Sequence, residues 1–198
     1  MVADDDAPAP AALSDGGNKP TTTATNGEVN VGDCILVNPD TPEGLPYIAW
    51  VKEILAGVGD DGEDALSVVW YYRPEEAVGG RKPFHGKKEL FLSDHFDTCS
   101  VATVIGRCRV LTVREYQALT KVGEHDYFSR FTYRPAPREF VPDRVPVFCR
   151  CSQPYNPDRF MAMCDGCEEW YHPDCVQAPI KAMKMDDWRC PDCKARGV

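Results

Sequence analysis

Eight cysteine and histidine residues near the C-terminus have a spacing suited to binding metal ions. They follow the order C-x-C-x12-C-x2-C-x4-H-x2-C-x14-C-x2-C and are Cys149, Cys151, Cys164, Cys167, His172, Cys175, Cys190 and Cys193. Thiolate and imidazole pairs separated by one to four residues allow a loop to wrap a tetrahedral zinc ion, and four such pairs make two sites. We therefore expect two Zn²⁺ ions as cofactors, in closed structural sites that leave no position for a catalytic water.

The order of these ligands, with Trp188 two residues before the last pair, resembles that of the PHD finger. The resemblance implies an interleaved cross-brace, with one zinc on Cys149, Cys151, His172 and Cys175 and the other on Cys164, Cys167, Cys190 and Cys193. A RING finger is the nearest alternative, but it usually has histidine as its fourth ligand, where this sequence has Cys167. A disulfide scaffold would require a secreted chain, and no apolar signal stretch follows Met1.

The composition indicates an intracellular protein of two modules with a basic partner. The chain has 198 residues, 43% of them hydrophobic, and its apolar runs are all shorter than a membrane span, so no membrane interaction is expected. A net charge of -9 argues against direct reading of nucleic acid, because binding to phosphates requires clustered Lys and Arg. An acidic protein that binds a basic tail is more consistent with this charge.

The pattern along the first three quarters of the chain predicts a mainly β fold. Residues 1–28 lack periodic apolar spacing and are expected to form a disordered acidic tail. Thr112 to Glu115 has the form of a helix capping box, which predicts one short helix. Strand candidates separated by Gly, Pro and Asp predict a small, mainly antiparallel β-barrel around that helix; they lie at residues 31–37, 47–55, 66–72, 89–93, 101–111 and 127–133.

Three segments of this region resemble a BAH domain. They are Gly32-Asp33 at the start of a strand, the run from Trp70 to Glu76, and the run from Lys88 to Asp97. A BAH domain at residues 29–145 followed by a PHD finger at 146–196 is similar to the short plant BAH–PHD chromatin readers. The resemblance implies a nuclear protein whose modules recognise methylated lysines on the histone H3 tail, with lysine 4 assigned to the finger and lysine 27 to the barrel.

The finger contains aromatic and acidic side chains suited to such a tail. Trimethyl-lysine is a cation without hydrogen-bond donors, so its selective capture requires aromatic faces. The candidates for this cage are Phe148, Tyr155, Met161 and Trp170. Asp165, with Glu168 second, is expected to pair with the arginine at position two of the H3 tail. By family resemblance, carbonyls of residues 177–179 would take the N-terminal amine. The alternatives are that the four large side chains form the small core of the finger, and that the acids are merely solvated.

The barrel contains a second candidate cage. Trp70 and Tyr72 lie two residues apart on a predicted strand, so their rings project from the same face. The resemblance implies that Tyr47 completes the cage if the neighbouring strands pair, and that His95 and Asp97 contact the peptide. Ordinary cross-strand packing is the alternative explanation for such alternating aromatics.

No catalytic arrangement is predicted. Ser93, Asp94, His95 and Asp97 are the residue types of a nucleophilic set, but four neighbours along one strand cannot converge as a triad does. We therefore predict a non-enzymatic reader of methylated histone H3 that regulates chromatin and transcription. A methyl-independent interaction scaffold remains the main alternative, and a RING-like ubiquitin ligase a weaker one.

Overall fold

Most strands in the first part of the chain belong to one sheet that closes on itself. The computed structural model describes residues 20–24, 27–59 and 62–197. Its first nine strands are β1 (Thr21–Ala24), β2 (Gly27–Asn30), β3 (Cys34–Val37), β4 (Tyr47–Leu55), β5 (Ala65–Tyr72), β6 (Glu89–Ser100), β7 (Val104–Leu111), β8 (Asp126–Arg134) and β9 (Glu139–Val141). The order in the large sheet is β6-β5-β4-β3-β7-β8-β9, and β6 also pairs with β8. This additional pairing closes a barrel, and the mainly β fold class is confirmed.

The barrel closes through β8, whose pairings with β6 and β7 are both parallel. Parallel neighbours cannot be joined by a tight hairpin, and the connection from β7 to β8 contains the helix α1 (Val113–Gln117). The predicted capping box is present: Thr112 Oγ1 accepts from the Glu115 N–H, and the Glu115 carboxylate accepts from the Thr112 N–H. Tyr116 then packs on Phe128 of β8, with 4.7 Å between ring centroids.

Strand β3 is buried on both faces, which explains its uninterrupted apolar sequence. Ile35 and Val37 belong to one hydrophobic cluster, together with residues of β4, β5 and β7. Cys34 and Leu36 point the other way and join a second cluster with Ile48. Because neither face meets water, the strand shows no alternation of apolar and polar residues.

Three expectations need correction. The first residues of the strand predicted at 101–111, Val101–Thr103, form a 3₁₀ turn. Residues 1–19 of the predicted tail lie outside the described residues, but β1 and β2 form an antiparallel hairpin in the range expected to be disordered. Alternate residues of β1 are buried, and Thr22 Oγ1 donates to Asp64 Oδ2 over 2.6 Å, so the threonine run has a packed face. The strand predicted to end at residue 93 continues to Ser100. Its second half has exposed side chains and therefore lacks an apolar signal.

The described residues divide into two compact units. One contains the chain up to Lys82 together with Lys88–Asp143, and the other contains Pro83–Lys87 together with the chain from Arg144 onward. The second unit consists of short elements: β10 (Val147–Phe148), β11 (Gln153–Pro154), β12 (Ala162–Met163), β13 (Trp170–Tyr171), α2 (Pro173–Val176), α3 (Ile180–Met183) and α4 (Pro191–Arg196). No helix in the described part of the chain is long and apolar enough to span a membrane.

Candidate zinc centres and methyl-lysine sites

The eight predicted ligands form two groups in space. Cys149, Cys151, His172 and Cys175 make the first, and Cys164, Cys167, Cys190 and Cys193 make the second. Within each group the ligand atoms all lie within 4.8 Å of one another. Three thiolates with an imidazole, or four thiolates, are donor sets that bind tetrahedral zinc. The finger is thus a two-zinc domain, and its ligand pairs interleave along the chain as the resemblance implied.

Local backbone geometry orients the ligands of both groups. His172 turns its Nδ1 toward the Cys151 Sγ, 3.5 Å away, and burial lowers the pKa of the imidazole, which favours the neutral form that binds a metal. Burial opposes ionisation of the Cys164 thiol, but the N–H groups of Cys190 and Gly166 donate to its Sγ and hold its pKa at about 6. These contacts orient one ligand atom in each group.

Trp188 belongs to the core of the finger. Its side chain is 4% exposed and lies edge-on to Tyr171, with ring centroids 6.1 Å apart. Ala162, Val176 and Met183 are buried in the same cluster. The tryptophan before the last ligand pair therefore packs the space between the zinc loops.

The four candidates for the cage of the finger lie on two hairpins. Phe148 lies in β10, and Tyr155 directly follows β11. Both are half-buried. Met161 precedes β12, with 8% exposure, and Trp170 is half-buried on β13. Trp170 pairs in the ladder with Met163, which is 43% exposed and was not among the predicted cage residues. The strand β12 covers only Ala162–Met163, which is too short for a periodic sequence signal to have identified this methionine.

The carboxylates expected to bind arginine are exposed on a rigid loop. The Asp165 N–H donates to the Trp188 carbonyl over 2.9 Å, and the Glu168 N–H donates to the Cys164 carbonyl over 2.8 Å. Among the carbonyls considered for the amine, that of Pro179 already accepts from two N–H groups of the α3 turn, those of Ala182 and Met183. This leaves residues 177 and 178 as the candidates for that contact.

The three aromatic candidates of the barrel line one cavity. Tyr47 and Trp70 lie edge to face, with ring centroids 6.1 Å apart and an interplanar angle of 71°. With Tyr72 they border a cavity of about 220 Å³, to which Glu76 and His95 also contribute. The structure thus brings together residues from β4, β5 and β6, as well as the turn after β5.

Polar partners hold each ring in place. The hydroxyl of Tyr47 donates to Asp40 over 2.6 Å, and this hydrogen bond is the main reason that the pKa of the phenol is raised. Trp70 Nε1 donates to Asp97 over 3.2 Å, and the Tyr72 hydroxyl lies 2.8 Å from His95 Nδ1. His95 and Asp97, expected at the peptide, therefore contact the rings themselves.

A bulge between β5 and β6 places His95 at the cavity. The register shifts between Val69, which pairs with Phe96, and Tyr71, which pairs with Leu92. Inside the bulge the Ser93 hydroxyl donates to the Trp70 carbonyl over 2.7 Å and accepts from the His95 N–H over 3.0 Å. Ser93 is buried and acts as a structural link, a role that the sequence pattern did not reveal.

Comparisons with known proteins agree with this architecture. A BAH domain model matches residues 27–144, and a PHD-finger model matches residues 149–193. The chain is 47% identical to chromatin remodeling protein EBS of Arabidopsis thaliana over 88% of its length and 74% of the relative's. It is 45% identical to chromatin remodeling protein SHL of the same plant, over 85% of this chain and 74% of the relative. The yeast Rsc2 BAH domain aligns at 22% identity with a TM-score of 0.47, covering 61% of this chain and 51% of that one.

Proposed function

Because the chain belongs to the family of chromatin proteins that join a BAH domain to a PHD finger, we propose that it is a nuclear reader of the histone H3 tail. In this proposal the BAH domain binds trimethylated lysine 27, and the PHD finger binds trimethylated lysine 4. The protein acts as a non-enzymatic adaptor that regulates chromatin and transcription. Its acidic net charge of -9 favours a basic tail as the partner.

The aromatic cavity of the barrel is the observation that carries this proposal. A trimethylammonium group offers methyl surface and a positive charge but no N–H, so it is bound best between ring faces. Tyr47, Trp70 and Tyr72 supply three rings around about 220 Å³, and hydrogen bonds fix their orientation before any ligand arrives. Pre-organisation of this kind lowers the entropy that binding costs.

Support for lysine 4 binding by the finger comes from Trp170 and the methionine opposite it. Trp170 is half-buried on β13, and Met163 lies directly opposite, which leaves apolar surface at the hairpin. Asp165 and Glu168 offer exposed carboxylates on the loop that follows Cys164. A tail beginning Ala-Arg-Thr-Lys has its arginine two residues before the lysine, which suits a carboxylate close to the cage.

Calorimetry with zinc-loaded protein tests both assignments. The H3 peptides are unmodified, trimethylated at lysine 4, or trimethylated at lysine 27, and the variants are Trp70→Ala and Trp170→Ala. We expect trimethylation at either lysine to tighten binding. Trp70→Ala should remove only the preference for trimethylated lysine 27, and Trp170→Ala only the preference for trimethylated lysine 4. Equal affinity for all three peptides would exclude methyl reading and leave a protein-interaction scaffold.

A further inference from the structure

One carboxylate borders the aromatic cavity of the barrel. Glu76 lines it together with Tyr47, Trp70 and Tyr72, and it is the acidic member of a lining that is otherwise three tyrosines, a tryptophan and a histidine. Its side chain is 37% exposed, so the carboxylate borders both the cavity and solvent. A negative charge here faces the space in which a cation would sit.

The position of this carboxylate is fixed by the turn that follows β5. Residues 74–76 form a single 3₁₀ turn, in which the Arg73 N–H donates to Glu76 Oε2 over 2.5 Å and the Glu76 N–H donates to the Arg73 carbonyl over 2.9 Å. These two reciprocal bonds restrict the rotamers of the glutamate. The charge is therefore held at the edge of the cavity before a ligand arrives.

Arg73 connects this turn to the segment that leads into β4. Its Nη2 donates to the Pro46 carbonyl over 2.6 Å, directly before Tyr47, and its Nη1 lies 3.9 Å from Glu76 Oε1. The ladder between β4 and β5 has its last pair at Ile48 and Tyr71, so Arg73 extends the connection between the two strands beyond the paired residues. The same side chain thus contacts both Glu76 and the residue that precedes Tyr47.

The charge of Glu76 acts on both tyrosines of the cage. The pKa of Tyr47 is raised first by its hydrogen bond to Asp40 and also by Glu76. The pKa of Tyr72 is raised first by burial and then by Glu76. Both phenols remain neutral at physiological pH, and the carboxylate is close enough to each for a ligand between them to experience its field.

We propose that Glu76, held in place by Arg73, is a specificity-determining residue of the cage. Its charge selects a methylammonium over a neutral group of the same shape. It also accepts the N–H that dimethyl-lysine retains, so the cavity accepts dimethyl-lysine as well as trimethyl-lysine. This proposal rests on the proposed binding of methylated lysine by the BAH domain.

The test compares Glu76→Gln with Glu75→Gln in the full zinc-loaded protein. Glu75 belongs to the same turn, but its carboxylate pairs with Arg81 and does not line the cavity. Three H3 peptides are titrated, carrying at position 27 trimethyl-lysine, dimethyl-lysine, or the neutral carbon isostere of trimethyl-lysine. Melting temperatures of both variants are measured in parallel to establish that the barrel is folded.

We expect Glu76→Gln to weaken trimethyl-lysine binding about threefold at low salt, dimethyl-lysine binding more, and binding of the neutral isostere hardly at all. This loss of affinity should be smaller in high salt, because salt screens the charge of a partly exposed carboxylate. Glu75→Gln should leave all three affinities unchanged. Equal losses for the charged and neutral peptides, or identical behaviour of the two variants, would overturn the role of Glu76 while Trp70→Ala still abolishes binding. Absence of any methyl preference in the wild-type protein would instead overturn the proposed function.

Discussion

Trp70 and Asp97 are joined across two strands by a hydrogen bond from the indole Nε1 to the carboxylate, 3.2 Å long. Asp97 pairs with Val68 in the ladder, so the bond runs diagonally from β6 to the ring on β5. The orientation of the Trp70 ring in the proposed cage thus depends on the second half of β6. The side chains of that half are exposed, so the apolar pattern of the sequence did not predict it as a strand.

Replacement of Asp97 by alanine should weaken binding of the lysine 27 peptide. A hydrogen bond of this kind contributes about 1 kcal/mol, which corresponds to about fivefold in affinity. Calorimetry measures the change, and Asp94→Ala serves as the control for charge. Asp94 is a carboxylate of the same strand whose charge also raises the pKa of Tyr72, but it pairs with Arg134 at 4.0 Å and not with Trp70. Equal losses in both variants would show that β6 contributes general charge and that the bond to Trp70 is unimportant.

The two tryptophans of the finger should respond differently to substitution. Trp170→Ala should remove the preference for trimethylated lysine 4 and leave a folded, two-zinc finger, because the ring is only partly buried. Trp188→Ala should destabilise the finger by about 3–5 kcal/mol, since the ring is 4% exposed in the core. Zinc content and thermal unfolding distinguish the two. Unfolding of the Trp170 variant would assign its ring to the core.

Zinc removal should unfold the finger and leave the barrel intact. Binding of structural zinc supplies folding free energy directly, so a strong chelator, or Cys164→Ser, should abolish the tertiary signals of the finger. Cys99→Ser is the matched control, because Cys99 belongs to neither ligand group. Metal analysis should give two zinc ions for wild type and for the control, and a folded two-zinc finger in the Cys164 variant would refute the ligand assignment.

Breaking the ion pair between Arg130 and Glu89 should lower the free energy of unfolding of the barrel. Arg130 Nε donates to Glu89 Oε1 over 2.8 Å, and the two residues are 8% and 1% exposed. Arg130→Met removes the cation from a buried carboxylate and should lower the free energy of unfolding by about 3–5 kcal/mol, measured by urea unfolding. Adding Glu89→Leu should recover most of that loss, and a double variant no more stable than the single one would show that packing dominates.

Asp126 should make stability depend on acid pH. The hydrogen bond from Arg109 is the main cause that holds the pKa of this carboxyl below its usual range, although burial opposes it. A lowered folded-state pKa stabilises the native protein above the unfolded value of about 3.9, and this contribution is lost as pH falls through the folded value. Asp126→Asn should therefore be less stable than wild type at pH 6, and the difference should shrink in strong acid. A difference in the free energy of unfolding between the two proteins that stays constant with pH would contradict this prediction.

Features encoded within one short segment could be predicted from the sequence. The short spacings within the ligand pairs from Cys149 to Cys193 predicted two zinc sites, whereas the division of the pairs between the sites came from the resemblance to the PHD finger. Thr112 with Glu115 predicted the helix start. Strand β4 was predicted with its observed bounds, Tyr47–Leu55, because its flanking turns and apolar residues are local. In each case the physical signal depends on residues only a few positions apart.

Tertiary structure decided which segments meet. The parallel pairings of β8, the bulge at Ser93 and the bond from Arg73 to Pro46 all join residues that are far apart in the sequence. Without the family resemblance, ordinary cross-strand packing was the favoured explanation for the alternating aromatics Trp70 and Tyr72. Local propensity specifies a strand but not its partner or register, since these depend on the burial and hydrogen bonds of the whole barrel.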